Sequence, residues 1–333
     1  FIMPELPYLS VIIVNWNSVE VLRACLTSLY GNTKDLNFEV LVIDNASFDG
    51  SEQMVEREFP SVIFIQSQNN LGFARANNLA FTYSKGSVLL FLNPDTEVVG
   101  SAVMQMIACL DSVENAGVVG PKLLNSDSSI QTSCVRAFPS ILNRVLDSEY
   151  LRNKYRRSSL WGNRVLFDEP LNATRVEAIS GACLMIRRSV FEKVQQFDSG
   201  YFMYAEDTDL CYRVQKVGWK NYYVGEAVVI HHGGQSSSSH PVNQFSSLMM
   251  KESTFKFFRQ HHGVVYAQLF RIAMGLTALA RMAVAAIAIL PTSSKQQKLV
   301  GSITFDKWKG VLRWAIGLEQ WVKRFTKTEA MNR

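Results

Sequence analysis

Several short signatures are missing from this chain of 333 residues. No GxGxxG follows its first apolar run, which weakens a dinucleotide oxidoreductase, and no GxxxxGK[ST] occurs, which weakens a P-loop ATPase. GxSxG is absent as well, removing the usual signal of a serine hydrolase. Cys25, Cys109, Cys134, Cys183 and Cys211 show no CxxC spacing. Four of them sit among apolar neighbours as small hydrophobes do, so they read as reduced thiols, which favours the cytoplasm. Phe1-Ile2-Met3-Pro4-Glu5 lacks a basic region followed by a long apolar stretch, so no signal peptide is visible. Internal repeats and low-complexity segments are also missing.

A uniformly basic surface is lacking too. The chain is +5 overall, yet residues 263–333 hold eleven Lys/Arg against three Asp/Glu, or +8, which leaves about −3 for residues 1–262. Uniform basicity would have suggested nucleic acid; a nearly neutral body with a basic end suggests an anionic surface met by one segment. With 47% apolar residues the chain can bury a sizeable core, as one large domain or two moderate ones.

The first 120 residues alternate short apolar runs with helical spacing, the pattern of βαβ units and a parallel sheet. Leu9–Val14 reads as a strand, followed by helical spacing at Val21, Leu22, Cys25, Leu26 and Leu29. Further strands are expected at Phe38–Ile43, Val62–Gln66 and Ser87–Phe91, with helices over Gln53–Phe59 and Ala74–Tyr83. Each strand delivers polar residues at its end: Asn15 and Asn17, Asp44 and Asn45, Asn69 and Asn70, Asn93 and Asp95. Four such ends on one sheet edge make a polar cleft, with helix N-termini beside it that suit diphosphate oxygens. Residues 136–175, rich in Arg, Asn and Ser, read as a mobile excursion over that cleft. Val176–Ile186 reads as an apolar strand broken at Gly181, where something approaches the backbone closely.

Three constellations could carry chemistry. Asn93-Pro94-Asp95 is good turn chemistry and equally a way to hold one carboxylate on a divalent cation carrying phosphates. Glu206-Asp207-Thr208-Asp209 places three carboxylates at a helix start. Capping and the helix dipole account for one or two of them. Crowding three raises one proton affinity, which suits a group that must accept a proton near neutral pH. Val228-Val229-Ile230 ends in His231 and His232, of which a regular strand turns at most one toward the cleft. One His with Asp95 would form a mixed O/N set suited to Mg2+ or Mn2+. His240, His261 and His262 have no comparable setting.

Taken in order, these stretches resemble the inverting glycosyltransferases of family 2, with the GT-A fold, and most closely their bacterial rhamnosyltransferase-like branch. The resemblance rests on Val11–Asn17, Val42–Ser47 with Asp49-Gly50-Ser51, Asn70–Ala74 with Asn78, Leu92–Asp95, Ser180-Gly181-Ala182, Glu206–Cys211 and His231, spanning about residues 8–235. It implies an α/β GT-A fold, Rossmann-like and nucleotide-sugar-binding: a mixed, mostly parallel sheet flanked by helices, with a C-terminal helical extension. It also implies Mg2+ or Mn2+ on Asp95 and His231, with Asn93-Pro94-Asp95 at the family's DxD position and Asn93 replacing the first acid. Asp207 would be the base. Asn15, Asp44, Arg75, Asn78, Asn93, Gly181 and Glu206 would contact substrate, Asp44 at the nucleotide and Arg75 either at the diphosphate or merely covering its helix. The implied donor is a nucleotide sugar, dTDP-rhamnose or a UDP-sugar, and the implied acceptor is a hydroxyl of a lipid-linked or polysaccharide glycan of the bacterial surface. A sugar-phosphate nucleotidyltransferase and a nonenzymatic carbohydrate- or membrane-binding protein are the competing classes.

Residues 264–290 are strongly apolar but contain Arg271 and Arg281, which argues against a simple membrane span and for an interfacial helix or a helical arm packed on the body. Val311, Trp314, Leu318, Trp321, Val322 and Phe325 follow helical spacing with Lys309, Arg313, Lys323 and Arg324 nearby, a combination suited to an anionic membrane surface or to packing in the core or a homodimer. The expected division is a catalytic domain over 1–262 and a basic, apolar helical tail over 263–333. The expected place is the cytoplasm, peripheral on the inner face of the membrane, with no nucleic-acid partner.

Overall fold

The computed structural model describes residues 6–148, 151, 154, 155, 158, 173–233, 244–288 and 295–324. Expectations about Phe1–Glu5, His240, Phe325 and much of 136–175 therefore lie outside the described residues. Along the chain run β1 (Leu9–Asn15), α1 (Val19–Asn32), β2 (Phe38–Asp44), α2 (Ser51–Glu58), β3 (Ile63–Gln66), α3 (Gly72–Phe81), β4 (Val88–Leu92), β5 (Thr96–Val99), α4 (Ala102–Ser112) and β6 (Ala116–Leu124). Then come β7 (Val135–Arg136), α5 (Ile141–Val145), β8 (Thr174–Val176), β9 (Ala178–Ile179), β10 (Cys183–Arg187), α6 (Arg188–Lys193), α7 (Glu206–Lys216) and β11 (Lys220–His231). Four helices follow: α8 (Gln244–His261), α9 (Val264–Ala288), α10 (Lys295–Ala315) and α11 (Trp321–Arg324).

A nine-stranded sheet carries the order β3-β2-β1-β4-β10-β6-β11-β5, with β8 paired to β11. Strands β1 to β4 run parallel, whereas β10 lies antiparallel between β4 and β6. The central strands are continuous apolar runs because helices cover both faces: every residue of β4 is buried, as are Val11, Ile12 and Ile13 of β1. Register brings Asn15 beside Asp44, and Asp44 beside Gln66. The polar strand ends thus share one edge.

Two helices begin two residues before the apolar spacing indicates, because polar groups start them. The Asp49 carboxylate accepts from Ser51 N at 3.1 Å, and Asn70 Oδ1 accepts from Gly72 N at 2.9 Å. The described parts of 136–175 are not a bare excursion. Strand β7 pairs with β9, and α5 opens on a capping box of Ser140 and Asn143. Ser140 and Asn143, two of the polar residues that blur the periodicity there, serve as that cap.

The C-terminal helices form a second hydrophobic cluster, in which Leu248, Met249, Phe257 and Phe258 of α8 meet Phe270 and Met274 of α9 and Val311 and Trp314 of α10. Helices α9 and α10 form a helical hairpin packed on α8 and α5. Trp314 is 1% exposed and donates through Nε1 to Glu252 Oε2 at 2.7 Å. Trp321 stacks on Phe245, with ring centroids 5.6 Å apart. The expectation that tryptophans meet a membrane is thereby corrected: indoles bury more apolar area against these helices than an interface would take. The two arginines of α9 also turn inward. Arg271 donates to the carbonyls of Trp314 and Ala315, and Arg281 to those of Val145 and Asp147.

Gly72 shows how tightly the cleft edge is closed. Its φ is +75°, and a Cβ there would lie 2.4 Å from the Phe202 carbonyl oxygen, which accepts from Phe73 N at 2.8 Å. Gly72→Ala is expected to destabilise the protein by about 2 kcal/mol or more; chemical denaturation of the two proteins side by side measures it.

Candidate active site

The site is assembled at the strand ends. Asp44 is almost wholly buried, and its carboxylate accepts from Asn15 Nδ2 at 2.7 Å, Ser47 N at 2.8 Å, Ser47 Oγ at 2.6 Å and Gln66 Nε2 at 2.8 Å. Such a set holds the carboxylate in one orientation. Asp44 and Gln66 line one shallow cavity with Phe48, Asp49 and Glu52. Asn15, by contrast, is fully buried and spends its amide on Asp44 and on Ser51 Oγ at 2.9 Å. Its expected contact with substrate gives way to a role in holding Asp44, because the strand interior leaves the amide no exposed face.

A larger cavity of about 300 Å³ lies alongside, lined by Trp16, Asn93, Asp95, Gly181, Asp207 and His231 among others. His231 Nε2 stands 3.3 Å from Asp95 Oδ1 and 3.5 Å from Asn93 Nδ2. Its Nδ1 pairs with Gln131 Oε1 at 2.7 Å, a contact that orients the ring with Nε2 toward Asp95. One carboxylate and one imidazole facing each other suit Mg2+ or Mn2+ when phosphate oxygens and water complete the shell. No group of three His, Cys, Asp or Glu gathers as a metal cluster among the described residues. His232 faces the other way, to Glu97 Oε1 at 2.7 Å and Ser126 Oγ at 2.8 Å. Strand alternation thus separates the two imidazoles.

The three acids of α7 divide sharply. Asp209 is fully buried and spent on Arg213 Nε and His261 Nε2, each at 2.7 Å. Asp207 lines the cavity. Its Oδ2 accepts from Gly181 N at 2.8 Å and lies 3.4 Å from Arg136 Nη1, while Oδ1 accepts from Thr208 N at 2.6 Å. A Cβ on residue 181 would stand 3.2 Å from Asp207 Cβ, so the close approach that breaks the strand there is made by Asp207. Glu206 is 7% exposed, and its Oε2 has no hydrogen-bond partner. Burial, reinforced by the Asp207 charge, pushes its carboxyl up to about 8. The raised proton affinity expected of the cluster falls on Glu206.

Residues 10–195 match the family described as Glycosyl transferase family 2. The chain belongs to that family. It is 31% identical over 242 residues to the N-acetylglucosaminyl-diphospho-decaprenol L-rhamnosyltransferase of Mycobacterium tuberculosis, covering 67% of this chain and 75% of the relative. It is 26% identical over 238 residues to the rhamnosyltransferase WbbL of Escherichia coli, covering 69% and 85%. Among solved structures, the mannosyltransferase PcManGT of Pyrobaculum calidifontis, in complex with GDP-Man and Mn2+, superposes with a TM-score of 0.57 at 15% identity, covering 95% of this chain and 89% of that one. The GT-A architecture expected from the motifs is therefore the architecture found, and the chain is a glycosyltransferase of the rhamnosyltransferase-like kind. The nucleotidyltransferase and nonenzymatic readings fall away.

Two residues expected to contact substrate are engaged with backbone groups of this glycosyltransferase. Arg75 Nε donates to the Ser199 carbonyl at 2.9 Å. Asn78 Nδ2 donates to the Phe197 carbonyl at 2.8 Å, and its Oδ1 accepts from Phe197 N at 3.1 Å. Neither lines the larger cavity. Both face the segment that precedes α7, because α3 turns that side toward the chain and not toward the cleft. Two residues escaped sequence reasoning. Arg136 sits in a two-residue strand with no periodicity to mark it, yet it lies against Asp207. His261, 52 positions from Asp209, carries no local signal either.

Asn78→Ala is expected to cost about 1–3 kcal/mol of stability through the orphaned Phe197 backbone groups, with the donor KM unmoved; melting curves and steady-state kinetics together separate that outcome from a lost substrate contact.

Proposed function

We propose that the protein transfers a sugar, rhamnose or a hexose, with inversion from a nucleoside-diphosphate donor (dTDP-rhamnose or a UDP-sugar) to a hydroxyl of a lipid-linked glycan. The observation that carries the reading is the meeting of Asp95, His231 and Asp207, from three distant parts of the chain, on one cavity. Residues 1–262 then supply the chemistry. Asp44, held rigid by four hydrogen bonds, takes the nucleoside end. Asp95 and His231 would hold a divalent cation, Mg2+ or Mn2+, which when bound supplies charge neutralisation on the leaving diphosphate. The acceptor oxygen attacks the anomeric carbon from the face opposite the departing diphosphate, and its proton passes to an Asp207 oxygen. Arg136 and the Gly181 N–H hold Asp207 in that position.

The relatives' names support the acceptor class: one acts on an N-acetylglucosaminyl-diphospho-decaprenol. Such an acceptor sits in a membrane, and residues 263–333 suit its surface. Val264–Ile287 passes for a membrane span by length and mean hydropathy alone. With Arg271 and Arg281 turned inward, however, α9 leaves Val265, Leu269, Ile272, Leu276 and Val284 more than half exposed on its outer side. An apolar helix face beside exposed Lys307 and Lys309 fits the interface of an anionic bilayer, with the enzyme peripheral on its cytoplasmic side.

Asp207→Asn is expected to lower transfer by about 10²–10⁴-fold while metal-dependent binding of the nucleoside diphosphate persists, seen by thermal shift with dTDP, UDP or GDP and Mn2+; near-normal turnover would remove Asp207 from the role of base. In co-sedimentation with phosphatidylglycerol vesicles, the Ile272→Glu, Leu276→Glu double variant should stay in the supernatant where the parent pellets. Equal pelleting, or a parent that forms dimers through this face in solution, would contradict the membrane assignment.

A further inference from the structure

Helix α7 starts after two successive non-glycine residues with left-handed backbone, Tyr204 at φ 68° and Ala205 at φ 64°. This strained entry sets Glu206 and Asp207 side by side in the cavity wall, with Tyr204 and Met203 as neighbours. The two carboxyls then meet opposite environments. Asp207 collects the Gly181 N–H, the Thr208 N–H and Arg136. Glu206 has Oε2 buried without a donor.

The charged and titratable groups that act on Glu206 are Asp207 and Asp209 on its own helix, Arg136 from β7 and the Tyr201 phenol from the segment before α7. Arg136 is engaged with Asp207, and Asp209 is already paired with Arg213 and His261. A second anion beside Asp207 would be buried and unpaired, which is costlier than retaining a proton. Burial and Asp207 push the carboxyl up to about 8, in agreement with that accounting.

We propose that Glu206 takes part in the reaction as a neutral carboxylic acid, donating its proton in a hydrogen bond to an acceptor oxygen adjacent to the attacking hydroxyl. The inference rests on the glycosyl-transfer reading of this cavity. A sugar acceptor presents just such a neighbouring hydroxyl or ring oxygen, and a neutral donor there orients it without competing with Asp207 as a base. In the step itself, the bond between acceptor oxygen and anomeric carbon forms and that between anomeric carbon and diphosphate oxygen breaks. The acceptor's proton goes to Asp207, and Glu206 keeps its own throughout.

The test compares the parent, Glu206→Ala and Glu206→Gln with an N-acetylglucosaminyl-diphospho-prenol acceptor across pH. Glu206→Ala should raise the acceptor KM roughly 3- to 10-fold with the donor KM unchanged. Glu206→Gln, still a neutral donor, should recover most of that loss. The parent's kcat/KM for acceptor should fall as pH rises through about 8, and Glu206→Gln should lack that limb. Failure of Gln to improve on Ala, or an alkaline limb shared by parent and Gln, overturns the proposal. Difference infrared spectroscopy of the parent against Glu206→Gln reads the proton directly: a carboxylic-acid carbonyl band present below pH 8 and absent in the variant is expected, and its absence in the parent overturns the idea. If no nucleotide sugar is turned over by the parent, the transferase reading fails on its own while the infrared result still decides the protonation.

Discussion

The carboxylate of Asp207 ties together segments that the chain keeps far apart. It takes hydrogen bonds from the Gly181 backbone in the turn between β9 and β10 and from Thr208 in α7, and it pairs with Arg136 of β7. A buried carboxylate demands such donors, since leaving it unmatched would cost several kcal/mol. The close approach of Asp207 accounts for the missing side chain at position 181. Remove the carboxylate and the floor of the cavity loses the contact that joins its three pieces.

Around this clamp, chemically alike groups have been given different work by their surroundings. Asp44 is saturated with neutral donors, Asp209 is matched by Arg213 and His261, Asp95 faces an imidazole, and Glu206 keeps Oε2 buried without a hydrogen-bond partner. Hydrogen-bond surroundings thus give each carboxylate a different set of fixed contacts, and burial with the neighbouring Asp207 charge raises the proton affinity of Glu206. The C-terminal hairpin follows similar logic. Its arginines and tryptophans are drawn inward by carbonyls and by Glu252, and aliphatic residues are left on the outside.

Local patterning was enough to read the βαβ alternation, the polar strand ends and the acids Asp95 and Asp207, because apolar periodicity and turn chemistry act over a few residues and need no distant partner. It also showed that one of His231 and His232 must turn away. Which one turns away was settled by the register of β11 on β5, where His231 stands opposite Thr96. Likewise, only the packed chain could decide that Asn15, Arg75 and Asn78 hold backbone and neighbouring side chains while Arg136 reaches the cavity. It decided as well that His261 serves Asp209. Those outcomes depend on groups tens to more than a hundred positions away along the chain, and a side chain's direction, burial and charge are set by whatever lies across from it in space.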